Sequence, residues 1–473
     1  MSKNMKQTEI DFFKSALTKD SETMPSAKVL HWINEKNNET KYNINQIPLD
    51  KLKLWNFDNI SGNIIHETGS FFSIEGIEVT TNWGKIQSWQ QPIINQPEIG
   101  FLGILTKKIN GILHFLLQAK IEPGNINIVQ LSPTLQATKS NYTKAHKGNA
   151  PLFLEYFNGS KKVEILLDQL QSEQGARFLK KRNRNIIIQI DEDIDVPDNF
   201  VWLTLGQIKG LIQHNNIVNM DTRTVISGIP YGTKDAGTVK FFSNLSNNIV
   251  NESLLNSILI GDLSYKNIDD IISWITRLKI NYFIEIKKIP LKALDNWAYN
   301  GMSIMHKDKK YFSVIGINVE IGNREVISWD QPMIKPAQEG IIAFLVKEIN
   351  GVYHFLVQAK LEAGNYDILE LAPTVQCLTG NYRTGENEYS VPFINEVLGA
   401  TPDRIWISTY QSEEGGRFFK EQNLNRIVEV KDEFPIDIPE NYCWMTLNQL
   451  LTFIKFNNYV NIAARSLISA ISF

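Results

Sequence analysis

The chain has 473 residues, too many for one ordinary core and enough for two or three domains. Apolar residues make up 43% and charged residues 21%, and the net charge of −3 leaves no global basic field to recruit nucleic acid or an anionic membrane. Two cysteines, Cys377 and Cys443, form neither a disulfide framework nor a zinc motif. Residues 1–20 contain no apolar run of the secretory kind, and no stretch approaches a membrane span, so a reduced, cytoplasmic setting is expected.

The dominant feature is an internal repeat. Leu-Leu-Gln-Ala-Lys at 116–120 returns as Leu-Val-Gln-Ala-Lys at 356–360. Ser-Trp-Gln-Gln-Pro at 88–92 returns as Ser-Trp-Asp-Gln-Pro at 328–332. Gln-Ser-Glu-Gln-Gly-Ala-Arg-Phe at 171–178 returns as Gln-Ser-Glu-Glu-Gly-Gly-Arg-Phe at 411–418. These pairs lie 240 positions apart; outside that block the offset is 242, as for Trp32 with Trp274 and Arg223 with Arg465. A repeat this large is a whole domain rather than a solenoid unit. The expected organisation is a tail at 1–24, a first module at 25–228, a turn-rich linker at 229–266 and a second module at 267–473. Each module reads as mixed α/β (α+β), a mixed sheet flanked by helices.

In chain order, each copy opens with an amphipathic helix, around 29–34 and 271–278. Strands are predicted at 103–106 and 112–121. The second alternates, with Leu113, Phe115, Leu117 and Ala119 on one face and His114, Leu116, Gln118, Lys120 and Glu122 on the other. A further run at 126–138 places Ser132, Thr134, Gln136 and Thr138 on one face. The segment 163–181 is predicted as a helix, repeated at 406–421. Trp202 to Gln207 and a short helix then lead to Asn219.

Four groups of residues carry chemistry. The polar row Gln118, Lys120, Glu122 is either a solvated face or the floor of a site, and the second copy keeps it at 358, 360 and 362. The Gly-Asn pair after Glu122 is a turn signal; the glutamate is not explained by the turn. On the predicted helix, Glu173 and Arg177 are four apart and share a face. The basic run at 180–185, which includes Arg182, Arg184 and Asn185, is either a solvated helix end or a diphosphate clamp; its second copy has lost both arginines. Asn141 and Tyr142 recur, but the following loop with His146, a candidate proton-transfer group, does not. Asn219 and Arg223 recur, and Arg223 is open to a phosphate or a structural role, while Asp221 and Thr222 become Ala463 and Ala464. No phosphate-binding glycine loop, dinucleotide fingerprint or zinc-protease motif is present, and chemistry without a metal is expected.

These strings, in this order, resemble the NDP-hexose 2,3-dehydratases, over nearly the whole chain. The resemblance implies two tandem Nudix-like modules. The stretch 171–185 lacks the carboxylate-rich magnesium box of a Nudix hydrolase. The implied reaction starts from a dTDP-4-keto-6-deoxyhexose. A base removes the proton at carbon 3, an enolate forms at the carbon 4 oxygen, and the carbon 2 hydroxyl leaves with help from an acid. The product tautomerises to a 3,4-diketo sugar. No redox cofactor is required. An unstable product implies a downstream 3-ketoreductase as partner, and a homodimer is expected. In roles the resemblance suggests, Lys120 stabilises the enolate, Glu122 or Glu173 is the base with His146 a rival, and Arg177, Arg182, Arg184 and Arg223 hold the diphosphate or orient the carboxylates. Trp89 and Tyr142 stack on base or sugar, and Gln118, Gln136, Asn141, Asn185 and Asn219 complete the binding set. The lost arginines place catalysis in the first copy. The competing readings are a Nudix-type pyrophosphatase and a non-catalytic nucleotide-sugar binding protein.

Overall fold

The structure, a computed structural model, describes residues 7–138, 151–232, 240, 242–244, 246, 250–322, 328–378 and 391–473. The first repeat contains helices α1 (Gln7–Leu17) and α2 (Ser26–Glu39) and strands β1 (Tyr42–Ile47), β2 (Trp55–Phe57), β3 (Ile64–His66), β4 (Ser73–Thr81), β5 (Ser88–Asn95), β6 (Gly100–Ile109), β7 (Ile112–Ile121), β8 (Val129–Pro133) and β9 (Leu135–Ala137). There follow α3 (Leu154–Phe157), β10 (Glu164–Ser172), β11 (Arg182–Gln189), β12 (Phe200–Thr204), α4 (Leu205–Ile212) and α5 (Met220–Ser227). The second repeat runs from α6 (Glu252–Leu259), α7 (Ile268–Asn281) and β13 (Ile284–Ile289) to α9 (Leu447–Ile454) and α10 (Ile462–Ser469) in the same order. The chain is thus mixed α/β, as expected from its sequence.

Each repeat forms a seven-stranded sheet. In the first, the order is β10-β11-β6-β7-β12, with β8 and β9 pairing the ends of β7 and β6. Only β11 and β6 run parallel within it. The strand β7 spans the predicted 112–121, because its alternation buries Phe115, Leu117 and Ala119 under α1 and α2 while Gln118 and Lys120 remain half-buried on the far face.

The segments read as tail and linker contain helices among their described residues. In α1, Phe12 and Phe13 are fully buried, and Ser15 Oγ donates to the Leu113 carbonyl while accepting from Leu205 N–H, at 2.6 and 2.9 Å. In α6, inside 229–266, Ser257 Oγ likewise accepts from Leu447 N–H at 2.9 Å. Ser15 and Ser257 are 242 positions apart, so the structural repeat begins upstream of the similarity visible in sequence.

The helix predicted over 163–181 is absent. Residues 164–172 form β10, antiparallel to β11, and 173–181 form the connecting loop. The counterpart of the predicted helix at 406–421 is β22 (Ile405–Ser412) and a similar loop before β23 (Gln422–Glu429). Glu173 and Arg177 therefore share no helical face, and the basic run 180–185 lies mostly on a strand.

Two smaller five-stranded sheets join the repeats by exchanging strands. β1 of the first repeat pairs antiparallel with β16 (Phe312–Ile321) of the second, and β13 of the second pairs with β4 of the first. A central apolar cluster mixes Trp55, Phe72 and Phe178 of one repeat with Trp297, Phe312 and Phe418 of the other. Among the described residues, no helix is long and apolar enough to cross a membrane.

Candidate active site

A cavity of about 1140 Å³ opens at the end of the first seven-stranded sheet, ample for a nucleotide sugar. Its floor is the polar face of β7. Gln118, Lys120 and Glu122 all line it, joined by Gln136 of β9 and Glu173 of the 173–181 loop. Lys120 Nζ lies 3.7 Å from Glu122 Oε1. Gln136 Nε2 donates to that same oxygen at 2.8 Å, while Glu122 Oε2 is buried without a hydrogen-bond partner.

The second repeat supplies part of the wall. The turn after β7 approaches residues 415–420: Gly124 N–H donates to the Gly415 carbonyl at 2.7 Å, and Lys420 N–H donates to the Gly124 carbonyl at 2.8 Å. A Cβ on Gly124 would stand 1.7 Å from the Phe418 carbonyl oxygen. The glycine is thus demanded by this close approach between repeats. The contact brings Glu414 and Arg417 to the cavity beside Glu122, along with Trp329 of β17 (Ser328–Pro336). Gln331 Nε2 steadies the same loop, donating to the Gly416 carbonyl at 2.6 Å. Arg417 stacks on Phe72, 4.1 Å from the ring centre, and its Nε donates to Gln96 Oε1 at 3.2 Å.

Five carboxyl groups, Glu122, Glu173, Asp221, Asp330 and Glu414, share the cavity with the cations Lys120, Lys181, Arg417 and Lys53. Burial raises Glu173 above the ordinary carboxylate range, although Lys181, Arg465 and a 2.7 Å hydrogen bond from Asn183 Nδ2 oppose the shift. Burial, together with Glu122, lifts Glu414 to about 7 against the pull of Arg417. Asp221 is raised well above its usual value by burial and then by Glu173, Glu414 and Glu122. Lys181, whose Nζ donates to the Glu98 carbonyl, is lowered by burial to about 8 despite Glu173. Carboxyls raised by burial beside cationic donors equip the cavity for proton transfer. Among the described residues no cluster of His, Cys, Asp and Glu has the geometry of a metal site.

Several sequence candidates lie elsewhere. Arg177 is buried across the molecule, 4.2 Å from the Phe312 ring centre and facing Glu421, Glu362 and Glu413 of the second repeat. Arg182 stacks on Tyr366, 4.1 Å from the ring centre. Arg184 pairs with Asp168 at 2.6 Å at the sheet's outer edge. Arg223 is fully buried, bonding Ser466, Gln411 and the Val218 and Ser412 carbonyls. The four arginines therefore form no common clamp at the cavity. Asn185 Nδ2 donates to Thr224 Oγ1 at 3.2 Å, away from the cavity. Asn219 caps α5 and donates to Ser132 Oγ at 2.9 Å and Gln136 Oε1 at 3.3 Å, which makes it a support behind the cavity wall. Trp89 packs near Ala363 of the second repeat; its counterpart Trp329 is the one at this cavity. Asn141, Tyr142 and His146 lie outside the described residues.

The strand exchange explains the displacement of Trp89 and Arg177. Each repeat places its tryptophan and its Gly-x-Arg loop near the other repeat's sheet. The second sheet keeps Lys360, Glu362, Gln376, Glu413 and Asn423, with Gln376 donating to Glu362 at 2.9 Å and Asn423 to Glu413 at 2.6 Å. Where the first cavity has Lys181, Asp221 and Glu414, the equivalent positions are Glu421, Ala463 and Gln174.

A family model described as NDP-hexose 2,3-dehydratase matches the chain twice, over residues 26–229 and 268–471. The chain belongs to the NDP-hexose 2,3-dehydratase family. Among relatives of this dehydratase family, a dTDP-4-dehydro-6-deoxy-alpha-D-glucopyranose 2,3-dehydratase of Saccharopolyspora spinosa is 44% identical over 460 residues, covering 97% of this chain and 94% of its own. Proteins of the same description are 39% identical in Amycolatopsis orientalis (97% and 92% covered) and in Streptomyces violaceoruber (93% and 95% covered).

Proposed function

We propose that this dehydratase removes water across carbons 2 and 3 of a dTDP-4-keto-6-deoxyhexose, giving a 3,4-diketo-2,6-dideoxy sugar, at the cavity built on the first sheet. The observation that carries the assignment is the juxtaposition of Lys120 with Glu122, whose second carboxylate oxygen is buried at the cavity without a partner. The ketone at carbon 4 acidifies the proton at carbon 3. Glu122 Oε2 is a base with no competing hydrogen bond, and Lys120 is a cationic donor for the oxygen on which enolate charge develops. Such a donor contributes roughly 3–4 kcal/mol to a developing oxyanion. Glu173 is the alternative base. Its raised pKa makes it the poorer choice for a group that must start ionised.

With Arg177, Arg182, Arg184 and Arg223 engaged elsewhere, the cations left for the diphosphate are Lys53, Lys181 and Arg417. Trp55, Phe101 and Trp329 offer aromatic faces to the nucleoside base. The second sheet, which carries Ala463 in place of Asp221, is the degenerate partner in this reading. The 3,4-diketo product has two adjacent carbonyls and an acidic methylene, so a 3-ketoreductase is the partner its chemistry calls for. A homodimer in the cytoplasm completes the proposal.

Incubation with the 4-keto substrate in deuterated water tests the base. Glu122→Gln should abolish deuterium exchange at carbon 3 and turnover, whereas Glu173→Gln should retain exchange. Full exchange and turnover in both variants would sink the assignment.

A further inference from the structure

An elimination needs an acid as well as a base, and the cavity contains a carboxyl suited to that part. Asp221 sits in the first turn of α5, behind the cap formed by Asn219, whose Oδ1 accepts from Thr222 N–H at 2.8 Å. It is 2% exposed, and its small accessible part lies on the cavity.

Asp221 differs from the other four acids of the cavity in its surroundings. Glu122 accepts from Gln136, Glu173 accepts from Asn183, Glu414 accepts from Gly416 N–H at 3.1 Å, and Asp330 accepts from Lys53 N–H and Asn318 Nδ2, each at 2.7 Å. The Asp221 carboxyl takes part in no hydrogen bond or ion pair among the described residues, and its Oδ1 is fully enclosed. An ionised carboxylate in that position would lack the hydrogen bonds that a buried charge requires. Its neighbours make this worse: Glu173, Glu414 and Glu122 repel a charge on Asp221, with Lys120 the cation opposing them. A helix N-terminus favours the ionised form by only about 0.3–1 kcal/mol at exposed sites, too little to offset burial beside three acids. The neutral acid has a proton to give and, among the described residues, no acceptor that takes it.

We propose that Asp221 is the acid that delivers a proton to the departing carbon 2 hydroxyl. The inference rests on the dehydratase reading and extends it. Glu122 takes the carbon 3 proton, and the electron pair of that C–H bond moves into the enolate. The pair then re-forms the carbon 4 ketone as the C2–O bond breaks and a carbon 2–carbon 3 double bond forms. The Asp221 proton joins the leaving oxygen, and water departs. The enol on carbon 3 passes its hydroxyl proton to the Asp221 carboxylate, while Glu122 returns its proton to carbon 2. Both side chains end in their starting states. Ala463 at the equivalent position of the second repeat cannot perform this step, which adds a chemical reason for catalysis to reside at the first sheet.

The test separates the two halves of the reaction. Asp221→Asn and Asp221→Ala would be incubated with dTDP-4-keto-6-deoxyglucose in deuterated water. Carbon 3 exchange would be read by NMR and loss of water by mass spectrometry, with thermal unfolding followed alongside. The expected result is carbon 3 exchange within about threefold of the unsubstituted protein and water loss reduced roughly 10²- to 10⁴-fold, the range of general acid catalysis. Water loss at the normal rate in Asp221→Asn would overturn the proposal. So would a matched fall in exchange and water loss, or loss of the fold in both variants, either of which would make the carboxyl a structural requirement. Absence of water loss in the unsubstituted protein would instead refute the dehydratase reading itself.

Discussion

Arg223 of the first repeat donates its Nη2 to the carbonyl oxygen of Ser412 in the second, 2.7 Å away. Arg465 returns the contact, donating to the Ser172 carbonyl at 2.5 Å. Both guanidiniums are fully buried, and the two accepting residues immediately precede Glu413 and Glu173. The pair thus fixes the start of each acidic loop from the opposite repeat.

Removing one arm should be costly. Arg223→Ala leaves the Ser412 and Val218 carbonyls, Gln411 and Ser466 without their donor, and is expected to destabilise the fold by about 3–5 kcal/mol, the scale for breaking a buried charged contact. Denaturant unfolding measures this. A loss below about 1 kcal/mol would show that water takes over the bonds.

Substitutions at the two equivalent tryptophans should have unequal effects. Trp329→Ala removes an aromatic wall of the cavity and should raise KM about tenfold, or about 1.4 kcal/mol. Trp89→Ala should leave KM within about twofold, because Trp89 lies toward the other sheet. Steady-state kinetics of the two variants decides the matter, and equal effects would contradict the strand-exchanged geometry of the site.

The arginines should divide in the same way. Arg184 pairs with Asp168 at a partly exposed position, so Arg184→Ala is expected to cost under about 1 kcal/mol of stability and to leave kcat/KM nearly unchanged. Arg417→Ala removes the cation facing Glu414 and Glu122, and should lower kcat/KM roughly 10²-fold, about 2.7 kcal/mol.

Stability should depend on pH through Glu370. Burial raises this carboxyl to about 8 despite a 2.9 Å hydrogen bond from Ser172 and the nearby Arg465. The native state then holds a proton that the unfolded chain has released between the ordinary glutamate value and about 8, so Glu370 lowers stability as pH rises through that window, by at most about 1.4 kcal/mol per pH unit. The equivalent residue in the first repeat is Gln130, which accepts from Ser412 Oγ at 2.8 Å. Glu370→Gln should therefore raise the melting temperature more at pH 8 than at pH 5. An identical gain at both values would contradict the titration.

The sequence was most legible where one face of an element is uniformly apolar. The alternation of 112–121 sets β7 and its polar row, and the short amphipathic pattern of 29–34 marks α2. The helical reading of 163–181 fails because the clustered leucines of 164–172 suit a helical face as well as a strand; the ladder with β11 decides between them, and that pairing is set by tertiary structure. Lys120, Glu122, Gln136 and Glu173 were found because both copies keep them in fixed strings. Glu414 and Arg417 were not, because they come from the second repeat and reach this cavity only through the packing of the two repeats; Lys181 stood only as part of the basic run, and Asp221 only as a position where the copies differ. One signal did exist: the cavity positions at which the copies disagree in charge, Lys181 against Glu421, Asp221 against Ala463 and Glu414 against Gln174.

The exchanged strands also bear on ancestry. A lone ancestral repeat would present β1 with no partner strand of its own, and would bury that edge by pairing with a second identical chain. Two identical cavities would result, each borrowing a tryptophan and an arginine loop from its mate. Fusing the two genes would keep every contact while letting the halves mutate separately. An acid could then be lost at one cavity without being lost at the other, and a symmetric dimer would become a single chain with one specialised site and one relieved of the duty.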